Sequence, residues 1–265
     1  MSHPSFDADV RRVAHLMADA ARAVILPYFR GADLGTQSKL AEGYDPVTLA
    51  DRAAEEAMRE ILAQQRPDDA ILGEEFGHKP GSSGLTWVLD PIDGTRGFVS
   101  GTPTWGVLIA LSDANGPFYG IIDQPYIGER FEGAPDRAVM TGPLGQRALR
   151  SCAPRDLSAA IVLTTFPEVG APEDHAGFHA VAAKAQLTRY GMDCYAYALL
   201  AAGQVDLVIE AGLQSYDIQA PIAVIQAAGG IVTDWRGGPV HEGGRALAAA
   251  NPEIHAQALE ILRKH

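Results

Sequence analysis

The stretch that decides the fold of this sequence runs from residue 87 to residue 95 and reads Trp87-Val88-Leu89-Asp90-Pro91-Ile92-Asp93-Gly94-Thr95. An apolar run typical of a buried strand leads into two carboxylates, and strand ends are where α/β enzymes usually place their chemistry. Two buried aspartates this close cannot both be ionised without a cation between them. We expect Pro91 and Gly94 to turn the backbone so that both carboxylates and the Ile92 carbonyl face one point, a ligand set that selects Mg²⁺. Taken alone, an ordinary strand-to-helix turn explains the motif about equally well.

Composition narrows the class of protein. The chain has 265 residues, 47% of them hydrophobic, which is enough for one compact enzyme-sized unit. Its net charge of -12 argues against nucleic-acid binding, which needs a basic surface. Cys152 and Cys194 are too few for a disulfide framework, so we expect reduced thiols. Asp7 and Asp9 stand where a signal peptide would carry basic residues, and the apolar runs are too short to span a bilayer. We therefore expect a soluble, cytoplasmic protein with no membrane partner.

Periodicity along the chain predicts a layered α/β fold, as one domain with two lobes at about 1–145 and 146–265. The first lobe should hold helices over 7–29 and from about residue 48, around a mainly antiparallel sheet. Its strands are predicted at 70–72, 87–89, 105–111, 118–122 and 130–132, and the polar segment 31–45 is predicted to be a functional loop. In the second lobe strands are predicted at 161–165, 205–210 and 231–234, and helices at 173–185, 194–202 and 218–228.

Three further acidic residues could join Asp90 and Asp93. Glu74 follows a predicted strand, although a solvated loop is the usual place for such a residue. Asp217 fits a helix N-cap with Pro221 in the first turn, and a capping aspartate retains a second oxygen for a metal. Asp51 completes a capping box that begins at Thr48, and local sequence alone favours that structural role.

Together these segments resemble the inositol monophosphatase-like superfamily of Mg²⁺-dependent, lithium-sensitive phosphatases. The resemblance is carried by Asp45-Pro46-Val47-Thr48-Leu49-Ala50-Asp51, by Ile71-Leu72-Gly73-Glu74-Glu75, by residues 87–95, and by Tyr216-Asp217-Ile218 with Ala227-Ala228-Gly229-Gly230. It implies alternating α-β-α-β-α layers, hydrolysis of a small phosphomonoester, two to three Mg²⁺ ions per active site, and a homodimer. The segment from Leu40 to Asp45 is longer than in many relatives, which leaves the role of the loop residue Lys39 open.

Within the superfamily the chain looks most similar to the histidinol-phosphatase branch. Residues 94–101 and 189–197 carry this resemblance. Within the second segment, Met192-Asp193 replaces the small residues that follow Gly191 in inositol-specific relatives. An inositol-1-monophosphatase or a broad sugar or nucleotide phosphatase is the alternative. A catalytically idle metal-binding partner is disfavoured because the acidic set is intact, and a dinucleotide oxidoreductase is disfavoured because no GxGxxG motif follows a predicted strand.

The resemblance also implies roles for individual residues. Glu74, Asp90 and the Ile92 carbonyl would hold a first Mg²⁺, and Asp90, Asp93 and Asp217 a second, with a looser third ion at Glu74. Catalytic roles fall to Glu74 and to the Thr95–Asp51 pair, which would accept the proton of the attacking water. Asp93 and Asp217 would also contact the substrate, and the backbone N–H groups of Gly94 and Thr95 would bind phosphate.

Substrate choice is predicted to depend on Asp193, Glu210 and Arg189. For Glu210 the alternative is a solvated strand end, and for Asp193 a helix N-cap, while Arg189 is expected to pair with one of these carboxylates. If both carboxylates face the site, their charge suits a cationic alcohol such as L-histidinol better than neutral inositol.

Overall fold

The computed structural model describes residues 8–31, 37–38, 46–47, 49–151 and 156–265. Several features singled out above lie outside these described residues: Asp7, Lys39, Thr48, Cys152 and the predicted loop 31–45 apart from residues 31 and 37–38. No helix within them is both long and apolar enough to cross a membrane.

Helices form the first, third and fifth layers of the molecule. Their bounds are α1 Ala8–Ile25, α2 Leu49–Gln65, α3 Thr95–Ser100, α4 Pro172–Ala182, α5 Asp193–Ala201, α6 Ser215–Ala227 and α7 Pro252–Leu262. The first helix ends earlier than the predicted residue 29. Pro27 brings no N–H group to a helical ladder and Arg30 adopts the left-handed backbone conformation, so the chain turns instead.

An eight-stranded sheet forms the second layer. Its strands are β3 Ala70–Gly73, β4 Gly77–Lys79, β5 Thr86–Asp93, β6 Gly106–Asp113, β7 Gly116–Gln124, β8 Glu129–Ala134, β9 Arg137–Gly142 and β10 Gly145–Ala148. The order across the sheet is β10-β9-β8-β7-β6-β5-β3-β4, and only the β3–β5 pair is parallel. A separate two-stranded ribbon pairs β1 Gln37–Ser38 with β2 Pro46–Val47.

A five-stranded mixed sheet forms the fourth layer. Its strands are β11 Ile161–Thr164, β12 Leu187–Tyr190, β13 Leu207–Gln214, β14 Ile231–Asp234 and β15 Gly243–Ala249, in the order β12-β11-β13-β15-β14. Strand β11 runs parallel to both its neighbours, whereas β15 runs antiparallel to both of its own.

Three hydrophobic clusters hold the layers together. One packs α1 and α2 on the outer face of the large sheet, and another packs α4 and α7 on the outer face of the small sheet. The third lies between the two sheets and is built around α5 and α6. The predicted α-β-α-β-α arrangement is therefore confirmed.

Short elements account for most of the differences from the predicted secondary structure. Strands β4, β9, β10 and β12 have six residues or fewer and are largely exposed or half-exposed, so they lack the apolar alternation that marks a strand. Strand β15 is rich in glycine and alanine, and the prediction stops at residue 234, short of both β15 and α7.

Candidate active site

A β-bulge, rather than the predicted Pro/Gly turn, brings Asp90 and Asp93 together. Strand β5 continues through Asp93, opposite β6, where Asp90 pairs with Leu108 and Asp93 with Gly106. Three steps along β5 thus correspond to two along β6, and the extra residue re-aims the side chains that follow it. Without it, residues three apart on a strand would point to opposite faces. The Asp90 carboxylate is buried and accepts the backbone N–H of Ile92 at 3.0 Å.

Asp217, in the first turn of α6, lies close to Asp90 and Asp93. One ligand oxygen each from Asp90, Asp93 and Asp217 lies within 4.8 Å of the others. The N-cap of α6 is Gln214 and not the predicted Asp217, which is the third residue of the helix. Oδ2 of Asp217 accepts the backbone N–H of Gln214 at 2.7 Å, so Asp217 still helps to cap the helix while it belongs to the cluster. Because α6 begins earlier than predicted, Pro221 lies inside the helix and not in its first turn.

Glu74 is placed by a buried residue that sequence reasoning missed, Glu55 of α2. The Glu55 carboxylate accepts the backbone N–H groups of Glu75 at 2.7 Å and Phe76 at 3.2 Å, which fixes the turn after β3. A Cβ at Gly73 would lie 2.0 Å from Glu55 Oε1, so only glycine allows this approach. A buried glutamate one helix away leaves no local signal in the sequence.

The site electrostatics favour a bound cation. Burial, followed by the charges of Glu74, Asp93 and Asp217, raises the pKa of Asp90 well above its ordinary value. Burial, followed by Asp217 and Asp193, does the same to the pKa of Asp93. Carboxylates crowded in this way are stabilised in their ionised form by a hard divalent ion, and the donor set is all oxygen. The cluster therefore fits such an ion.

Thr95 lines the cavity, whereas Asp51 does not. The Thr95 hydroxyl donates to the Ile92 carbonyl at 3.1 Å, and both residues line the cavity. Asp51 is fully buried in the first turn of α2, which packs against β5, and it does not line the cavity. Gly94 precedes Thr95 in the left-handed conformation, with φ of 84°.

These groups surround a cavity of about 390 Å³, a volume suited to a small ligand. Its lining comprises Glu74, Asp90, Ile92, Asp93, Gly94, Thr95, Arg96, Thr165, Phe166, Asp193, Cys194, Tyr197, Glu210, Ala211, Gly212, Leu213, Gln214, Tyr216 and Asp217. Of the residues predicted from sequence, all but Asp51 and Arg189 are in this set.

Asp193 is packed tightly into the cavity wall at the start of α5, and it does not act as the N-cap. Its carboxylate accepts the Thr104 hydroxyl at 2.9 Å, and its φ of 45° is unusual for a residue with a side chain. A Cβ at Gly94 would lie 2.7 Å from the Asp193 Cβ, so glycine permits the contact. Burial raises the pKa of Asp193, while the Thr104 bond and the charge of Arg96 oppose the rise.

Glu210 is buried within β13 and is not the solvated strand end that the alternative interpretation expected. Its carboxylate accepts the Thr165 backbone N–H at 2.7 Å, the Thr165 hydroxyl at 2.9 Å and the Thr164 hydroxyl at 3.1 Å. Burial nevertheless raises the pKa of Glu210 to about 7, against the effect of these bonds.

The structure does not bring Arg189 to these carboxylates. Arg189 is exposed on the edge strand β12, and no ion pair among the described residues joins it to Asp193 or Glu210. Threonine donors satisfy both carboxylates instead, so the expected pairing is wrong.

Arg96 and Tyr197 are among the cavity-lining residues that were not predicted. Arg96 follows Thr95 directly, and this adjacency was the one available signal. Tyr197 is buried, and its hydroxyl has no hydrogen-bond partner in the part of the chain that the structure describes. Burial and the nearby carboxylates, Glu210 foremost, raise the pKa of Tyr197, so its hydroxyl is a neutral donor.

Comparison with known proteins agrees with this geometry. A sequence profile described as the inositol monophosphatase family matches residues 7–265. The chain belongs to the inositol monophosphatase family. Membership makes it a phosphoric monoester hydrolase, and the acidic cluster at the end of β5 lies in its candidate active site.

Individual relatives are similar over nearly the whole chain. A bifunctional chloroplastic phosphatase of Arabidopsis thaliana is 43% identical, over 96% of this chain and 75% of its own length. A histidinol-phosphatase of Streptomyces coelicolor is 34% identical, over 97% of each chain. The solved inositol monophosphatase of Zymomonas mobilis superposes with a TM-score of 0.85 at 38% identity, covering 98% of this chain and 100% of its own.

Proposed function

We propose that this phosphatase hydrolyses L-histidinol phosphate to L-histidinol and phosphate, with Mg²⁺ as its cofactor. The observation that carries the proposal is a pair of carboxylates, the half-buried Asp193 and the buried Glu210, that line the same cavity as the acidic cluster. Among the described residues no ion pair joins a lysine or arginine to Glu210, and the charge of Arg96 acts on Asp193. A leaving alcohol that carries positive charge is the substrate that such a cavity favours.

The acidic cluster is the proposed binding site for two to three Mg²⁺ ions. Asp90, Asp93, Asp217, Glu74 and the Ile92 carbonyl would hold them. Bound there, the ions would stabilise the charge that develops on the phosphoryl oxygens and lower the pKa of the attacking water.

The remaining roles belong to the chain itself. The backbone N–H groups of Gly94 and Thr95, which line the cavity next to Asp93, are the proposed donors to phosphate. The Thr95 hydroxyl orients toward the Ile92 carbonyl. We propose that the water gives up its proton to Thr95 together with the buried Asp51.

Specificity follows from charge. A cationic leaving group beside Glu210 would favour the ionised form of a carboxyl whose pKa is otherwise about 7. Neutral inositol offers no such compensation, and its many hydroxyl groups would require more donors and acceptors than two acids provide. A histidinol-phosphatase and an inositol-1-monophosphatase are each 34% identical to the chain, so the proposal rests on the charge of the cavity and not on identity.

Inositol 1-phosphate is the second candidate, because the superposed solved relative is an inositol monophosphatase. A homodimer and a cytoplasmic location, both expected from the sequence, stay predictions.

The test is a comparison of kcat/KM for L-histidinol phosphate, inositol 1-phosphate and glycerol 2-phosphate at equal Mg²⁺. We expect L-histidinol phosphate to exceed the two neutral esters by at least about tenfold, the effect of one charge-assisted contact. Equal values for all three would contradict the proposed substrate and leave a broad phosphatase. No release of phosphate from any of them would contradict the site assignment.

A further inference from the structure

An aromatic ring lies exposed at the rim of the cavity. Phe166 lines the cavity and is 42% exposed, which is unusual for a phenylalanine beside charged groups. The guanidinium carbon of Arg96 lies 4.8 Å from the centre of its ring, within cation–π distance. The ring therefore already accepts a cation, and that cation comes from the protein.

The position of Phe166 is fixed by Glu210. Thr165 donates both its backbone N–H and its hydroxyl to Glu210, which anchors the residue directly before Phe166. The Phe166 carbonyl accepts the backbone N–H of Val169 at 3.2 Å, closing a turn. The segment that carries the ring is thus tied to Glu210 through Thr165, and both Phe166 and Glu210 line the cavity.

Two histidines hold the next residue of the same turn. Nδ1 of His175 and Nε2 of His179 lie 3.1 Å and 3.2 Å from the Pro167 carbonyl oxygen. Both come from α4, so the turn is tied to a regular element. A rim that is already ordered binds a ligand with a smaller entropic cost.

Arg96 contacts the two kinds of group that a substrate cation would need. It stacks on Phe166, and its charge acts on the carboxylate of Asp193. The side chain of Arg96 is exposed to solvent. A second cation that entered the cavity would repel Arg96 and could take its place.

We propose that the face of Phe166 is the subsite for a planar cation on the leaving group, and that Arg96 occupies this subsite until the substrate displaces it. The chemical class is an imidazolium or guanidinium, whose flat face stacks on the ring while its N–H groups face Asp193 and Glu210. The inference deepens the proposed function, on which it rests for the assignment of these two carboxylates to the leaving-group end.

Binding of two free alcohols to the Mg²⁺-loaded enzyme with inorganic phosphate tests the subsite by calorimetry. L-histidinol carries an ammonium and a planar heterocycle, whereas L-leucinol carries the same ammonium and an aliphatic chain. Phe166→Leu should lower the affinity for L-histidinol by roughly 2- to 30-fold, the range of a cation–π contact. The same variant should change the affinity for L-leucinol by less than about twofold. Phe166→Tyr, which keeps a ring, should retain the discrimination. Equal losses for both alcohols, or a loss of discrimination with tyrosine, would overturn the subsite.

Arg96→Gln tests the displacement. Removal of the resident cation should leave L-histidinol bound as tightly as before or more tightly, because nothing has to be displaced. A weakening of L-histidinol beyond about threefold would show that Arg96 assists binding and would overturn this part of the proposal.

The subsite and the proposed substrate can fail separately. Dependence of L-histidinol binding on Phe166, in an enzyme that shows no preference for L-histidinol phosphate, would support the subsite and contradict the proposed function. A strong preference for L-histidinol phosphate that Phe166→Leu leaves intact would support the proposed function and contradict the subsite.

Discussion

Oδ2 of Asp93 accepts the backbone N–H of Cys194 at 2.7 Å, and so joins the end of β5 to the first turn of α5. One residue before Cys194 lies Asp193, whose carboxylate is bonded to Thr104. The carboxylate proposed to bind cations and the carboxylate proposed to select the substrate are therefore held in one hydrogen-bonded unit. A change at either is expected to be local, because backbone contacts set the geometry of both.

Asp93→Asn is expected to preserve the fold and to lower turnover at least about a hundredfold. The amide oxygen can still accept the Cys194 N–H, so the link to α5 survives, but the charge that stabilises a cation is lost. Steady-state kinetics at saturating Mg²⁺ and thermal unfolding measure the two effects. Glu260→Gln, on the exposed face of α7, is a control of equal charge change that should alter neither. Near-normal turnover of Asp93→Asn would contradict the assignment.

Mg²⁺ binding should become tighter as pH rises and should release protons. The pKa values of Asp90 and Asp93 are raised, so in the metal-free protein these groups retain protons that the ion must displace. Because burial disfavours their ionised forms, the metal-free protein also loses stability as pH rises through these pKa values, and the ion restores it. The rise in Tm with Mg²⁺ should thus be larger at pH 8 than at pH 6. Calorimetry in two buffers of different ionisation enthalpy counts the protons, and a pH-independent affinity would contradict the prediction.

Sequence predicted the layered fold because its long elements carry clear periodicity. Helix α1 buries Val13, Met17 and Ala21 at helical spacing, and β6 is an unbroken apolar run. Short edge strands such as β12 carry no such pattern, because their position is set by the neighbouring strand and not by their own residues. The β-bulge in β5 could not be predicted either, because it is defined only by the pairing of β5 with β6.

At the site, sequence located the acidic residues but not the groups that hold them. Glu55 and Thr104 act across the fold, through the turn at Glu75 and through Asp193, and neither belongs to a local motif. Arg189 illustrates the converse error, because the charge that was expected to pair with one of these carboxylates lies exposed on the edge strand β12.

Thr104→Val should reduce selectivity for a cationic ester, and the reduction should be larger at lower pH. The lost hydrogen bond favours the ionised form of Asp193, so its removal raises that pKa further and leaves more of the carboxyl neutral. Selectivity should recover as pH rises, whereas a purely structural loss would not. Thr104→Ser is the matched control, because it keeps the hydroxyl that donates to Asp193. Equal effects of the two variants would contradict the role of Thr104.

The double change Asp193→Asn, Glu210→Gln should depress kcat/KM for L-histidinol phosphate far more than for glycerol 2-phosphate. A charge-assisted contact is worth about 1.5–3 kcal/mol, so each loss should cost about 10- to 100-fold on the cationic substrate. The ratio of the two kcat/KM values isolates this effect from any damage common to both. Equal losses would mean that the carboxylates support the fold or the cation site.

Glu210→Gln alone should change how stability depends on pH. The pKa of Glu210 is raised from 4.5 to about 7, so the unfolded chain releases this proton at lower pH than the folded protein does. The folded protein therefore loses roughly 3 kcal/mol of stability as pH rises from about 4.5 to about 7. Above pH 7 this group causes no further loss. Glutamine does not titrate. In urea unfolding without divalent cations, the free energy of unfolding of the variant relative to the wild type should therefore increase by about that amount between pH 4.5 and pH 7. Parallel stability curves would contradict the raised pKa.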